Sequence, residues 1–187
     1  GKSTFMRSSM FAVMMAQTCG VAPARSISFS PFSYIDSYVN VEDIAGGCSK
    51  FEAEAKRFLE LIKNVSSLPD GKKSLIIADE MFSGTNPRDA ACAGKAVLTE
   101  RIHKFNDSIW LISTHFPEIR EVVKGSGGRS INLHVEVKRK ACGELDGEGF
   151  TYKILPGETQ ESTAFDVMRR VGFAVDIMDE ARRVRGW

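Results

Sequence analysis

Leu75-Ile76-Ile77-Ala78-Asp79-Glu80 is a short apolar run that breaks off into two adjacent carboxylates. Apolar residues without polar alternation are expected of a strand buried on both faces. Ile109-Trp110-Leu111-Ile112 repeats the pattern and leads into Ser113-Thr114-His115. Residues 88–105, between the two runs, read as a helix. Buried strands alternating with helices predict an α/β fold with a largely parallel sheet flanked by helices. Downstream, Ile131–Lys138 and Phe150–Leu155 alternate instead, which predicts an antiparallel hairpin extension. Their linker, Ala141–Gly149, is rich in glycine and acid.

Upstream, apolar groups at Phe5, Met6, Met10, Val13 and Met14 predict a helix over residues 3–19, stopped by Gly20. Short strands are expected at Ser26–Phe29 and Tyr34–Val41, and a loop at Asp43–Ser49 around Gly46-Gly47. Lys50–Asn64 reads as an amphipathic helix with Phe51, Ala55, Phe58, Leu59 and Ile62 on one face. Pro69-Asp70-Gly71 is a turn, Gly125–Gly128 a loop, and two closing helices, 163–171 and 174–185, divide near Gly172. No internal repeat is visible.

The chain has 187 residues, 43% hydrophobic and 26% charged, with a formal net charge of +1. That composition suits one domain with its own core. It lacks the basic excess of a domain that grips a nucleic-acid backbone alone, so any DNA contact is expected mostly elsewhere. No apolar run approaches membrane-spanning length, and the first residues lack signal-peptide character. An intracellular setting is expected. Cys19, Cys48, Cys92 and Cys142 are too widely spaced for a C-x-x-C site. They read as reduced thiols that mostly serve packing. The chain opens inside a motif, so it reads as a fragment whose upstream portion is missing.

That motif is Gly1-Lys2-Ser3-Thr4, which matches the last residues of a P-loop, G-x-x-x-x-G-K-[ST]. Glycine allows close backbone approach to phosphates, and Lys2 brings positive charge to the β- and γ-phosphates. The Ser3 hydroxyl suits Mg²⁺, and the following helix points its positive end at the anion. The alternative for so short a match is an ordinary helix start. Asp79-Glu80 at a strand end matches a Walker B motif. Asp79 would hold Mg²⁺, directly or through water, and Glu80 would orient the attacking water. The competing reading is two solvated acids where a strand surfaces. His115, just past a strand end, faces the ligand crevice of an open α/β sheet and could stabilise the γ-phosphate. His103 reads as a solvated helix residue and His134 as a strand surface residue. Ser49, with Glu52 three residues on, reads either as a helix cap or as part of an anion-binding loop.

Taken in order, Gly1-Lys2-Ser3-Thr4-Phe5, Gln17, Gly20, Val21, Pro23, Asp43–Phe51, Asp79-Glu80, Gly84-Thr85, Thr114-His115, Asn132–His134 and Glu180–Arg182 resemble the ATPase domain of the MutS family. The resemblance covers nearly the whole chain. It implies a P-loop NTPase fold of the ABC type, ATP and Mg²⁺ as ligands, and a second MutS-like subunit as partner. Gly1, Lys2, Ser3, Thr4, Asp79, Glu80 and His115 would line one nucleotide site. Gly46, Gly47 and Ser49 would reach across the dimer. Double-stranded DNA would be held by upstream domains, and no membrane is implied.

The sequence departs from the mismatch-repair pattern in places. Met81–Arg88 stands where Gly-Arg-Gly-Thr-Ser is usual, Cys48 and Lys50 stand where Arg and Thr are common, and Ser162-Thr163-Ala164 replaces a Ser-Tyr/Phe-Gly pattern. These differences point to a divergent branch. Three other readings follow: a MutS-like ATPase acting on recombination intermediates, an ABC-type ATPase of a non-DNA machine, and a non-hydrolysing switch. Ile44–Ser49 in place of Leu-Ser-Gly-Gly-Gln weighs against the second of these, and the Asp79-Glu80 pair against the third.

Overall fold

The three strands β1 (Tyr34–Tyr38), β2 (Ser74–Asp79) and β3 (Ser108–Ser113) pair in parallel in the order β1-β2-β3. The structure, a computed structural model, describes residues 1–39, 49–139, 145–159 and 163–185. They fall into two compact units, Gly1–Ile131 and Asn132–Trp187. In the first, β2 is central and buried along almost its whole length, as its unbroken apolar run requires. Among the described residues β3 pairs on one side, with β2, and Ile109 on it is 53% exposed. The second buried strand expected here is partly buried among the described residues; its apolar run resembles that of β2, but of the three paired strands β2 has a neighbour on both sides.

Helix α1 (Lys2–Cys19) ends where Gly20 takes φ 71°, a left-handed cap that glycine adopts without a side-chain clash. Helices α2 (Lys50–Ser66) and α3 (Pro87–Glu100) are the crossovers β1-α2-β2 and β2-α3-β3. Right-handed crossovers running in one direction place both helices on the same face of the sheet. Phe58, Leu61 and Val65 of α2 accordingly share one core cluster with Ile76 and Ala78 of β2 and with Ala90 and Leu98 of α3. Each large side chain buried there contributes about 1.5–3 kcal/mol. Leu75 and Ile77 are buried too, and strand alternation points them to the opposite face, where α1 lies along β2 and β3.

The inward face of α2 matches the expected one in part: Phe58 is in the core and Phe51 and Ile62 pack against it. Ala53, Glu54, Phe58, Leu61 and Val65 are buried, whereas Leu59 is 51% exposed. The expected strand at Ser26–Phe29 is not formed. Pro31 has no N–H to give a ladder, and both backbone groups of Phe32 bond to the Gln17 side-chain amide, at 2.9 and 2.7 Å. The helix expected over 88–105 stops at Glu100, and Ile102–Lys104 forms a 3-10 turn. A short α4 (Pro117–Glu121) was not signalled by periodicity. Cys19 and Cys92 are exposed thiols, not packing residues.

In the second unit, β4 (Leu133–Arg139) and β5 (Leu145–Pro156) pair antiparallel, so the hairpin forms as expected. Helices α5 (Ala164–Val171) and α6 (Val175–Arg185) follow, divided at Gly172 with φ 98°. Arg139 on β4 pairs with Asp166 on α5 at 3.1 Å. No helix among the described residues is long and apolar enough to cross a membrane.

Tyr38 closes β1 with a buried phenol whose oxygen accepts the Phe82 N–H at 3.4 Å. Burial pushes its pKa well above the ordinary value; the Phe82 N–H opposes this and the Glu54 charge adds to it. The folded value thus lies above the unfolded one. The associated stability is complete below the unfolded pKa, about 10, and is lost as pH rises through the folded value. Tyr38→Phe should therefore lower stability by about 1 kcal/mol at neutral pH. The gap between wild type and variant should narrow above pH ~10, read from urea midpoints at both pH values.

Candidate functional site at the carboxyl ends of the strands

Parallel pairing sets Asp79 of β2 directly beside Ser113 of β3. The Ser113 hydroxyl donates to the Asp79 carboxylate, and the same oxygen accepts the Glu80 N–H at 3.2 Å. The Ser113 carbonyl accepts that N–H as well, at 3.3 Å. Glu80 leaves the strand with φ 52°, a left-handed conformation that costs a non-glycine residue roughly 1–2 kcal/mol. Pinning its N–H on Ser113 holds it there.

The Glu80 carboxylate reaches His115 Nε2 at 2.7 Å, with both side chains at least half exposed. The Lys2 ammonium lies 3.5 Å from His115 Nδ1 and 3.4 Å from Nε2. The ammonium thus lies against the imidazole whose Nε2 meets the Glu80 carboxylate. Lys2, His115, Glu80 and, through Ser113, Asp79 therefore form one continuous polar group drawn from three places in the chain.

Lys2 opens α1. The Gly1 carbonyl accepts the Phe5 N–H at 3.0 Å, no side chain caps this helix end, and its first turn holds no acid. The free N–H groups and the positive end of the helix dipole point out of this end. An ammonium and a helix start facing two carboxylates, a hydroxyl and an imidazole can hold an anion together with a hard cation. Ser3 is half-buried and Thr4 exposed in the first turn.

Ser49 is the N-cap of α2; its hydroxyl accepts the Glu52 N–H at 3.2 Å. Gly46 and Gly47 lie outside the described residues. His103, expected in solvent, is half-buried and bonds to the Ser130 hydroxyl at 2.7 Å. His134 lies on β4, half-buried, with Nδ1 3.2 Å from the Gly157 carbonyl. Neither joins the Lys2 group.

Two residues of the site carried no assignment from sequence. Ser113 was visible only as context for His115, and its role comes from strand register. Glu54 lies inside α2 and is 2% exposed, accepting from the Ser83 hydroxyl at 2.8 Å and the Gly84 N–H at 2.9 Å. A carboxylate among the inward positions of an amphipathic helix was the signal that could have found it.

Comparison with known proteins places the chain in a family. The family model described as MutS domain V matches residues 1–186. The DNA mismatch repair protein MutS of Caldanaerobacter subterraneus is 31% identical over 186 residues, 98% of this chain and 20% of that protein. That of Haloquadratum walsbyi is 28% identical over 185 residues, 98% of this chain and 19% of that protein. That of Thermus thermophilus is 28% identical over 183 residues, 97% and 21% respectively. The chain spans about a fifth of the length of these curated relatives. With nearly every residue matched by the family model, the chain belongs to the MutS domain V family.

Proposed function

We propose that this chain is the ATP-binding and ATP-hydrolysing domain of a MutS-like DNA mismatch repair protein, of the ABC class of P-loop NTPases. The observation that carries the reading is the Lys2–His115–Glu80 chain beside Asp79, assembled at the start of α1 and the ends of β2 and β3. Gly1, Lys2, Ser3 and Thr4 bind the phosphates through the uncapped start of α1 and the Lys2 charge. Ser3 and Asp79 are the residues that would hold Mg²⁺, which when bound neutralises phosphate oxygens. Among the described residues there is no cluster of three or more His, Cys, Asp or Glu to form an all-protein cage. Mg²⁺ is commonly held by one or two carboxylates together with substrate phosphates, so this donor set suits it.

Glu80 accepts a hydrogen bond from the attacking water and orients it. The water oxygen bonds to the terminal phosphorus while the bridging oxygen leaves with ADP. His115, set between Lys2 and Glu80, stabilises the transferring phosphoryl group. Ser49, with Gly46 and Gly47, completes the site of a second MutS-like subunit. Nucleotide state then governs how other domains grip double-stranded DNA; no membrane partner enters this reading. A second reading keeps the ATPase and assigns it branched recombination intermediates, which the divergent Met81–Arg88 segment favours.

Glu80→Ala in the full polypeptide carrying this domain should preserve ATP affinity while lowering the hydrolysis rate about 100-fold or more. A turnover equal to wild type removes Glu80 from that role. Lys2→Ala should instead weaken nucleotide binding about tenfold or more, through loss of charge-assisted hydrogen bonds. Unchanged affinity in a nucleotide titration removes Lys2 from the phosphate site. ATPase rates with homoduplex, mismatched and branched DNA should respond selectively to mismatches. Selectivity for branched DNA moves the protein to the second reading, and indifference to all three to a machine outside DNA metabolism.

A further inference from the structure

We infer that Glu54 is a positioning residue for Glu80: its buried carboxylate holds the Glu80–Gly84 turn against the N-terminal end of α2. The inference rests on the reading of Glu80 as the water-orienting group.

A buried carboxylate is costly unless its oxygens are met by donors. Among the described residues, no salt bridge joins Glu54 to a cation. Its two oxygens are met one each by the Ser83 hydroxyl and the Gly84 N–H. Both donors belong to the turn that begins at Glu80. An apolar side chain would fill that place in the core at lower cost, so the carboxylate is there for the turn.

The turn needs holding. Glu80 has φ 52° and Phe82 has φ 61°, both in the left-handed region that disfavours side chains. Its near end is fixed by the Glu80 N–H on Ser113. Its middle is fixed by the Phe82 N–H on Tyr38, and by the Phe82 ring lying 5.4 Å from that of Phe58. Its far end is fixed by Glu54. Gly84 sits so close to α2 that a Cβ there would meet Phe51 N and Lys50 Cγ at 2.8 Å. Releasing the far end lets the strained φ angles relax and swings the Glu80 carboxylate away from His115. Glu54 and the N-cap Ser49 lie on one helix, about 7.5 Å apart along its axis, so the Glu80 turn follows that end of α2.

The test uses Glu54→Ala, Glu54→Gln and Ser83→Ala in the full polypeptide, with MgATP affinity, kcat and amide exchange over residues 80–84 measured separately. Glu54→Ala should keep affinity within about twofold, lower kcat about tenfold or more, and speed exchange of the turn without nucleotide. Glu54→Gln should recover part of the rate, because its carbonyl still accepts from Gly84 and its NH₂ donates to Ser83. Ser83 is exposed, so Ser83→Ala should fold even if Glu54→Ala does not, with a smaller fall in kcat at unchanged affinity. Unchanged kcat and exchange in Glu54→Ala, or in Ser83→Ala where the former fails to fold, overturns the proposal. So does an equal loss of affinity and kcat with faster exchange throughout the domain, which marks a merely structural residue. Wild-type protein that binds no MgATP overturns the ATPase reading instead; exchange at 80–84 then still decides whether Glu54 holds the turn.

Discussion

The parallel pairing of Asp79 with Ser113 is the constraint on which the site depends. It places one hydroxyl where it can donate to the Asp79 carboxylate and accept the Glu80 N–H. That contact carries the chain out of β2 in a left-handed turn, and the turn aims Glu80 at His115. A slip of one residue in the β2–β3 register would reverse the faces of both strands. Ile76 and Ala78 would leave the core together with the loss of the Ser113 contact. Core burial and site geometry are therefore enforced by the same register.

Helix α2 is the second fixed body. Arg57 on it donates to Asp36 of β1 at 2.5 Å and to the Ser37 carbonyl at 3.1 Å. The Tyr34 hydroxyl donates to the other Asp36 oxygen, and Asn64 donates to Tyr34 at 3.0 Å. Burial alone would lower the Arg57 pKa, but the Asp36 and Glu60 charges outweigh it and raise the value, so the guanidinium stays charged. Burial, with the Asp36 contact, also raises the Tyr34 phenol. Polar networks of this kind, with each member satisfied, fix one relative placement of two elements more firmly than apolar contact does. A helix locked to β1 in this way gives Glu54 a rigid base from which to hold the turn after β2.

Much of this was legible in the residues. The buried run ending in Asp79-Glu80, the second run ending before His115, the stops at Gly20 and Gly172 and the Ser49 cap are local signals, set by backbone propensity and apolar pattern. They place Lys2, Asp79, Glu80 and His115 at helix starts and strand ends before any packing is known. The missed features depend on neighbours distant in sequence. Leu59 reads as apolar and inward, yet the helix rotates to bury Ala53 and Glu54 instead, because Phe58, Leu61 and Val65 meet the sheet best that way. Ser26–Phe29 has strand-like composition, yet Gln17 occupies the backbone groups of Phe32 that a continuing ladder would use.

Composition, periodicity and motif order by themselves thus determined the α/β class with a parallel sheet and a hairpin, the family resemblance, and which side chains could carry chemistry. Tertiary structure decided that β2 lies between the other two described strands, that Ser113 bridges Asp79 and Glu80, and that the buried carboxylate of α2 meets Ser83 and Gly84 of the Glu80 turn. The division has a physical cause. Apolar periodicity and capping act over a few residues, whereas strand order, register and the partner of a buried charge are settled by contacts between segments about 30 residues apart, such as Glu54 with Gly84 and Asp79 with Ser113.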